Sequence, residues 1–535
     1  MYVRINKNRV RAFQGPSVDA DQWDRAFSHY FNLLASQELC RLGKWCESNS
    51  IPTPNLDVVG DSLCVAASRD CDELNRNITR SLVALETWVN NPSEQTKPLF
   101  SMPESPLKYF CEAMSECGAL QGKIVFVCID EYENLLDYQQ ARLNTYLKHA
   151  EPPLSYKIGV KKNGLRTRAT IDLADIITAP EDYNEIDIGV DTTDDFVKQV
   201  VEHRLELAKQ RGVDITTDAE EFLPELPIAD EAEALGCLAI ANDILLAIAE
   251  VDDAPLLEWA QGIPKTSLYL AKYWAEGEKT DVVAQVRDWK SKPSVWSTRL
   301  GNYGYASLFW LSKGRKGARI RKYYAGFRTV AALASGNVRY LIELIDESLQ
   351  AEGGEGDEWG GFVTPKCQTL AARAVGRRRL EQLESVTEHG ASIKRVVLGL
   401  GKVFFEIARD PVGRAPEQNA FVVAGEHSEQ LKLLELLQQG VAHLALEATP
   451  RTKATTQSEM KDDEFRLHPI FAPFFEFSHR KKRRITFQAE DLLELLVHPS
   501  KAISKLLTER AQTPLEELPQ QLALFSSFYG PGPKP

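Results

Sequence analysis

The feature that most restricts the fold is the run Ile124-Val-Phe-Val-Cys-Ile129, six apolar and partly β-branched residues that stop at Asp130-Glu131. A short apolar run of this kind reads as a fully buried strand, and the stretch from about Tyr132 to Ala150 after it reads as a helix. A buried strand feeding a helix is the pattern of a parallel sheet covered by helices. Pro152-Pro153 punctuates the end of that helix, Tyr156–Val160 reads as a second short strand, and Tyr183–Gly189 as a third. The helix that follows carries Val197, Val200, Val201, Leu205 and Ala208 on one face. Strands alternating with helices make an α/β layered core the expected fold class.

Around this core the pattern is helical. Trp23, Phe27, Tyr30, Phe31 and Leu34 recur at helical spacing, as do Leu107, Phe110, Met114 and Cys117. From Gly212 to Val330 the chain is helical and aromatic in patches. Ser335-Gly-Asn-Val-Arg339 then opens a helix with Val338, Leu341, Ile342, Ile345 and Leu349 on its apolar face. The Gly-rich, acidic stretch 351–363 reads as a linker. Beyond it, helices at about 366–388, 392–407 and 428–439 with strand-like runs near Phe421 and Leu444 suit a winged-helix module. Ala448–Glu464 reads as a mobile loop and Pro514–Pro535 as disordered. The expected divisions are 1–190, 191–350, 351–363, 364–500 and 501–535.

Composition removes several classes of function. Sixty-three Lys plus Arg face 76 Asp plus Glu, a net charge of −13, so any nucleic-acid contact must use a local basic patch. The nine cysteines contain no C-x-x-C pair, which argues against a disulfide framework or a zinc module. No apolar stretch reaches the roughly 18 residues of a membrane span, and the first residues lack a secretory apolar segment, so a cytoplasmic protein without membrane partners is expected. H-E-x-x-H, G-x-S-x-G and metal-spaced His/Cys clusters do not occur, which speaks against a protease, nuclease or other effector.

An apolar strand ending in Asp-Glu plants two carboxylates at the carboxyl edge of a sheet, where phosphates bind in such folds. There Asp130 suits Mg²⁺, usually through water, and Glu131 suits the attacking water. Ile158-Gly-Val-Lys-Lys-Asn163 puts polar residues at the end of the next strand, and Gly336-Asn-Val-Arg339 begins a helix with an arginine. In this order the chain, from residue 1 to about 496, resembles the AAA+ ATPases of the origin-recognition and replication-initiator (ORC-like) type. The resemblance implies a parallel-sheet nucleotide-binding core, a helical lid with an insertion, and a C-terminal winged-helix domain. It also implies ATP and Mg²⁺ as cofactors. Asp130 and Glu131 then correspond to the Walker B acids and Arg339 to the sensor-2 arginine, while Lys162 or Asn163 lies where sensor 1 belongs. Arg166 or Arg168 lies near the position of an arginine finger presented to a neighbouring subunit; an exposed loop pair is the plainer alternative.

Two departures accompany the resemblance. The phosphate-loop pattern G-x-x-x-x-G-K-[ST] does not occur: Gly43-Lys44, Gly122-Lys123 and Gly401-Lys402 are followed by Trp, Ile and Val. Met1–Asn6 looks like the strand that follows the phosphate-loop helix in such proteins. Either a longer product supplies the phosphate loop, or nucleotide binding is weak or lost. Second, Asp130 and Arg339 stand 209 residues apart, which implies an inserted helical region.

The run Arg480-Lys481-Lys482-Arg483-Arg484, after the aromatic stretch 468–475, is the strongest candidate for phosphate contact with DNA; a solvated edge is the plainer reading. Arg315, Lys316, Arg319, Arg321 and Lys322 are expected to meet nucleic acid, acidic linkers or a partner. His468 reads as a packed or capping residue. The relatives implied by the resemblance include replication initiators and ATPases of defence-associated gene sets that control an effector. A homo-oligomer or a partner effector is therefore an expected assembly. The competing expectation is a non-catalytic DNA- or protein-binding scaffold on an ATPase fold.

Overall fold

The computed structural model describes residues 1–161, 164–172, 174–188, 194–313, 320–353, 360–386, 389–410, 417–425, 427–449, 463–508 and 520–529. The chain divides into two compact units, Met1–Ile186 and Asp187–Pro535.

The first unit is built on a three-stranded parallel sheet, β1 (Tyr2–Arg4), β2 (Val125–Asp130) and β3 (Leu154–Ile158), in the order β1-β2-β3. The register sets Tyr2 against Cys128, Arg4 against Asp130 and Ile129 against Ile158. One face of β2, formed by Val125, Val127 and Ile129, is buried with Val3, Leu154 and Tyr156. It packs on the long helix Ala20–Ser48, whose residues Trp23, Phe27, Tyr30 and Phe31 join the same core. Each large side chain so buried contributes on the order of 1.5–3 kcal/mol. That helix starts where the Asp19 side chain accepts from the Gln22 amide at 2.7 Å, an N-cap that satisfies one orphan donor. A glycine at 43 lets it approach the helix Cys71–Asn90 so closely that a Cβ there would run into Cys71 Sγ.

Three expectations need correction in this unit. β2 is not fully buried: Phe126 is 40% exposed and Tyr2 on β1 is 54% exposed, so the second sheet face is open. The period of two was hidden because every residue of the run except Asp130 is apolar. The helix expected from Tyr132 is interrupted: a 3₁₀ turn, Tyr132–Asn134, precedes the helix Asp137–Lys148. Among the described residues, 183–188 form no strand, and Ile186 and Ile188 are exposed.

The second unit holds two cores. The helices from Ile228 to Leu311 enclose one of their own, rich in Trp274, Trp289, Trp296 and Trp310, in which Trp289 and Trp296 stack at 4.6 Å. This bundle falls within the stretch Gly212–Val330, where an inserted helical region is expected. The other core joins the helices Asp194–Gln210, Phe327–Ala334, Val338–Gly353, Pro365–Val386 and Gly390–Arg409 to a four-stranded sheet. Its strands β4 (Gln418–Ala424), β5 (Leu446–Thr449), β6 (Glu464–Leu467) and β7 (Arg483–Gln488) run in the order β5-β6-β4-β7. β4 is antiparallel to β6 and parallel to β7. The expected disorder of the tail is corrected for part of it: Gln520–Ala523 and Ser526–Tyr529 are helical, and Tyr529 donates to the Leu398 carbonyl at 3.1 Å. Apolar Phe525, Phe528 and Tyr529 give that segment something to bury.

Ion pairs inside this second core are dense. Glu476 is 1% exposed and meets Arg373 at 2.8 Å and Arg409 at 2.5 Å, with Arg321 3.9 Å away. Lys322, expected on a basic surface run, is instead buried against Glu231 at 2.9 Å.

Candidate functional site

The carboxyl edge of the first unit's sheet gathers the acids expected there. Asp130 ends β2, and Glu131 adopts a left-handed backbone (φ 57°) that turns the chain into the 3₁₀ turn. Such a conformation costs a non-glycine residue of order 1 kcal/mol and persists where surrounding contacts enforce it. Here Tyr132, fully buried, anchors the turn: its amide donates to the Gly159 carbonyl at 3.2 Å and its hydroxyl to Asn144 at 2.8 Å.

Asp130 is held on two sides. Its Oδ1 accepts from the Glu131 amide at 2.8 Å, and its Oδ2 accepts from the Tyr2 hydroxyl at 2.5 Å. That hydrogen bond is the main reason the Tyr2 hydroxyl titrates above its ordinary value. Gly159, at the end of β3, leaves no side chain beside the carboxylate; a Cβ there would stand 3.0 Å from Asp130 Oδ1. Glu131 reaches sideways, Oε2 accepting from Asn134 at 2.9 Å and Oε1 facing Arg4 at 3.4 Å. A cleft of about 620 Å³ opens beside it, lined by Arg4, Asn6, Lys7, Arg9 and Glu131.

The other site candidates divide. Lys162 and Asn163 lie outside the described residues; their neighbours Lys161 and Gly164 border the same edge, with Lys161 paired to Glu133 at 3.1 Å. Arg166 is committed to the fold: it binds Asp137 at 2.8 Å and the carbonyls of Glu133 and Leu135. Arg168 is half-buried and makes no side-chain ion pair among the described residues. In the second unit, Arg339 sits in the first turn of Val338–Gly353, exposed and without an ion pair among the described residues. The preceding Asn337 caps that helix, its side chain accepting from the Arg339 amide at 3.0 Å.

All five residues of the basic run are exposed. Lys481 pairs with Glu464 at 2.8 Å, Lys482 with Glu417 at 3.0 Å and Arg484 with Glu464 at 3.7 Å, while Arg480 stacks on Tyr305 at 3.8 Å. Arg483 opens β7. His468 is buried, its Nδ1 accepting from the Ile470 amide at 3.2 Å.

Sequence reading missed Tyr2, Arg4 and Asn134 as companions of the acids. The signal was present for two of them: Tyr2 and Arg4 alternate with Val3 and Ile5, which places them together on one sheet face.

The residues at this edge fit Mg²⁺. That ion is usually held by one or two carboxylates together with phosphate oxygens and waters, and Asp130 keeps lone pairs beyond the two it uses. No group of three His, Cys, Asp or Glu among the described residues forms a self-sufficient metal cage. None of the three Gly-Lys pairs forms a phosphate loop. Gly43 and Gly401 lie inside helices, and Gly122 stands in a turn at the opposite, amino end of β2.

No single helix among the described residues is long and apolar enough to cross a membrane. No curated protein and no solved structure matches the chain. A family model described as ORC-CDC6-like matches residues 1–487, nearly the whole length. With its Asp-Glu pair at the carboxyl end of the central parallel strand, the chain belongs to the ORC-CDC6-like family, an AAA+ type of ATPase.

Proposed function

We propose that the chain is an ATP-dependent switch whose hydrolytic site is the Asp130–Glu131 edge, acting on DNA or on a partner complex. The observation that carries this reading is the placement of both acids at the carboxyl end of β2 between two parallel neighbours, with Asp130 fixed by two donors. When bound, Mg²⁺-ATP supplies the phosphoryl group and a cation that offsets charge as that group transfers. Asp130 would hold that cation. Glu131 orients the attacking water once its carboxylate is free of Arg4 and Asn134. As the sensor-2 arginine that the resemblance implies, Arg339, exposed at a helix start, would answer to the γ-phosphate of a bound nucleotide, and Arg168 rather than the committed Arg166 would be the arginine available to a neighbouring subunit. Lys162 or Asn163 completes the site as sensor 1.

Glu131→Gln is expected to abolish steady-state hydrolysis while leaving binding of a fluorescent ATP analogue intact. Equal turnover in the variant would sink the reading. Retained ATP-independent binding of DNA or partner by a chain without turnover would favour the scaffold reading.

For DNA, the support is the C-terminal sheet. A helix (Gly390–Arg409), β4, a second helix (His427–Ala442) and the antiparallel pair β5–β6 follow in the order of a winged helix, although one helix rather than two stands between β4 and β5. Lys481 binds Thr449 and Glu464, the residues at the base of the β5–β6 loop. Replacing Arg480–Arg484 by alanine should weaken duplex binding and shallow its salt dependence, as loss of phosphate contacts does. Unaltered affinity would exclude the run as the contact.

A further inference from the structure

We propose that Tyr2 is a positioning residue for the divalent cation: its hydroxyl fixes one oxygen of Asp130, so that the remaining lone pairs point out of the sheet edge. This rests on the reading of Asp130 as the cation-binding acid.

The argument begins with the register. Tyr2 lies opposite Cys128 and Arg4 opposite Asp130, so Tyr2 is the diagonal neighbour of Asp130 on the open sheet face. The diagonal offset is one that the long phenol of Tyr2 spans, as its hydroxyl contact with Asp130 shows. The hydroxyl arrives 2.5 Å from Oδ2, while the backbone amide of Glu131 occupies Oδ1 at 2.8 Å. An ionised carboxylate offers about four acceptor positions. One is therefore taken on each oxygen and one remains on each. With both oxygens tied, the carboxylate plane cannot rotate freely, and the missing side chain at Gly159 leaves Oδ1 unobstructed on the β3 side. The tyrosine ring itself is 54% exposed, so packing accounts for little of its presence. Residues that hydrogen-bond a metal-binding group typically alter metal affinity about 10- to 100-fold when removed.

The test is a titration of the full 535-residue chain with Mn²⁺ in the presence of ATP, followed by electron paramagnetic resonance. Tyr2→Phe, which keeps the ring, should weaken Mn²⁺ binding about tenfold. ATP affinity without metal and the melting temperature should stay unchanged. Tyr2→Leu should weaken it to the same degree. If Tyr2→Phe binds Mn²⁺ like the parent and only Tyr2→Leu is impaired, the tyrosine merely packs and the inference falls. Asp130→Asn separates this from the site itself. Unchanged Mn²⁺ binding in Asp130→Asn, or no ATP-dependent Mn²⁺ binding by the parent, would overturn the site and the inference together. Loss in Asp130→Asn with none in Tyr2→Phe would overturn the inference alone.

Discussion

Two sites, one in each unit, handle charge in opposite ways. At the sheet edge of the first, Glu131 has two light restraints, one of them an arginine that is itself 74% exposed. In the second, Glu476 is sealed among three arginines, and Lys322 is sealed against Glu231 beneath aromatic rings. A buried ion must be matched where it stands, because an uncompensated charge in the interior is costly; a half-exposed one can exchange its partner for water or substrate at little cost. The contrast separates carboxylates that hold the fold from carboxylates free to act.

The comparison can be broken most directly at Glu476. Glu476→Ala leaves Arg409 and Arg373 buried without their partner, and should destabilise the second unit by about 3–5 kcal/mol in urea unfolding. A loss near zero would mean that the cluster is solvated and the contrast false.

A more gradual effect, smaller for each pH unit, is expected from acidification. Burial pushes His468 down to about 4 and His479 to about 3, with Arg466 adding to the effect and Glu447 opposing it at His468. The folded value of each lies below the unfolded 6.5, so the unfolded chain binds protons first. Stability is therefore full above about 6.5 and falls as the pH drops toward 4, by up to about 1.4 kcal/mol per pH unit for each ring. His468→Asn keeps an acceptor for the Ile470 amide and should flatten this slope; an unchanged slope in unfolding measured from pH 7 to 4.5 would place the sensitivity elsewhere.

The smallest change is expected at the edge itself. Arg4→Ala should cost less than about 1 kcal/mol, within the range of an exposed pair. A loss as large as that of Glu476→Ala would erase the distinction between the two regions.

Much of the scaffold was legible in the chain. The Ile124–Ile129 run, the helical stripe from Trp23 and the helix opened by Asn337 all follow from spacing and capping, which act over a few residues. The acids were legible for the same reason, since a strand and the polar residues that end it are adjacent. What was not legible depends on distant partners. Tyr2 meets Asp130 across 128 positions, and Lys322 meets Glu231 across 91, so no local pattern marks either pair. Phe126 faces solvent although its neighbours are apolar, and Arg166 is spent on the loop Glu133–Asp137 although its sequence context resembles that of Arg168. The run 183–188 alternates like a strand yet joins neither described sheet, because alternation specifies a face and not a partner.

The stacked tryptophans of the inserted bundle have an optical consequence. Trp259, Trp274, Trp289, Trp296 and Trp310 all lie there, whereas the first unit has only Trp23, Trp45 and Trp88, none of them at the sheet edge. Intrinsic fluorescence of this protein therefore reports chiefly on the bundle, and coupling between the Trp289 and Trp296 rings at 4.6 Å gives that signal an exciton character in the near ultraviolet. A nucleotide arriving at Asp130 meets no tryptophan at that edge, so a change in tryptophan emission on adding ATP would report a response of rings that lie away from it.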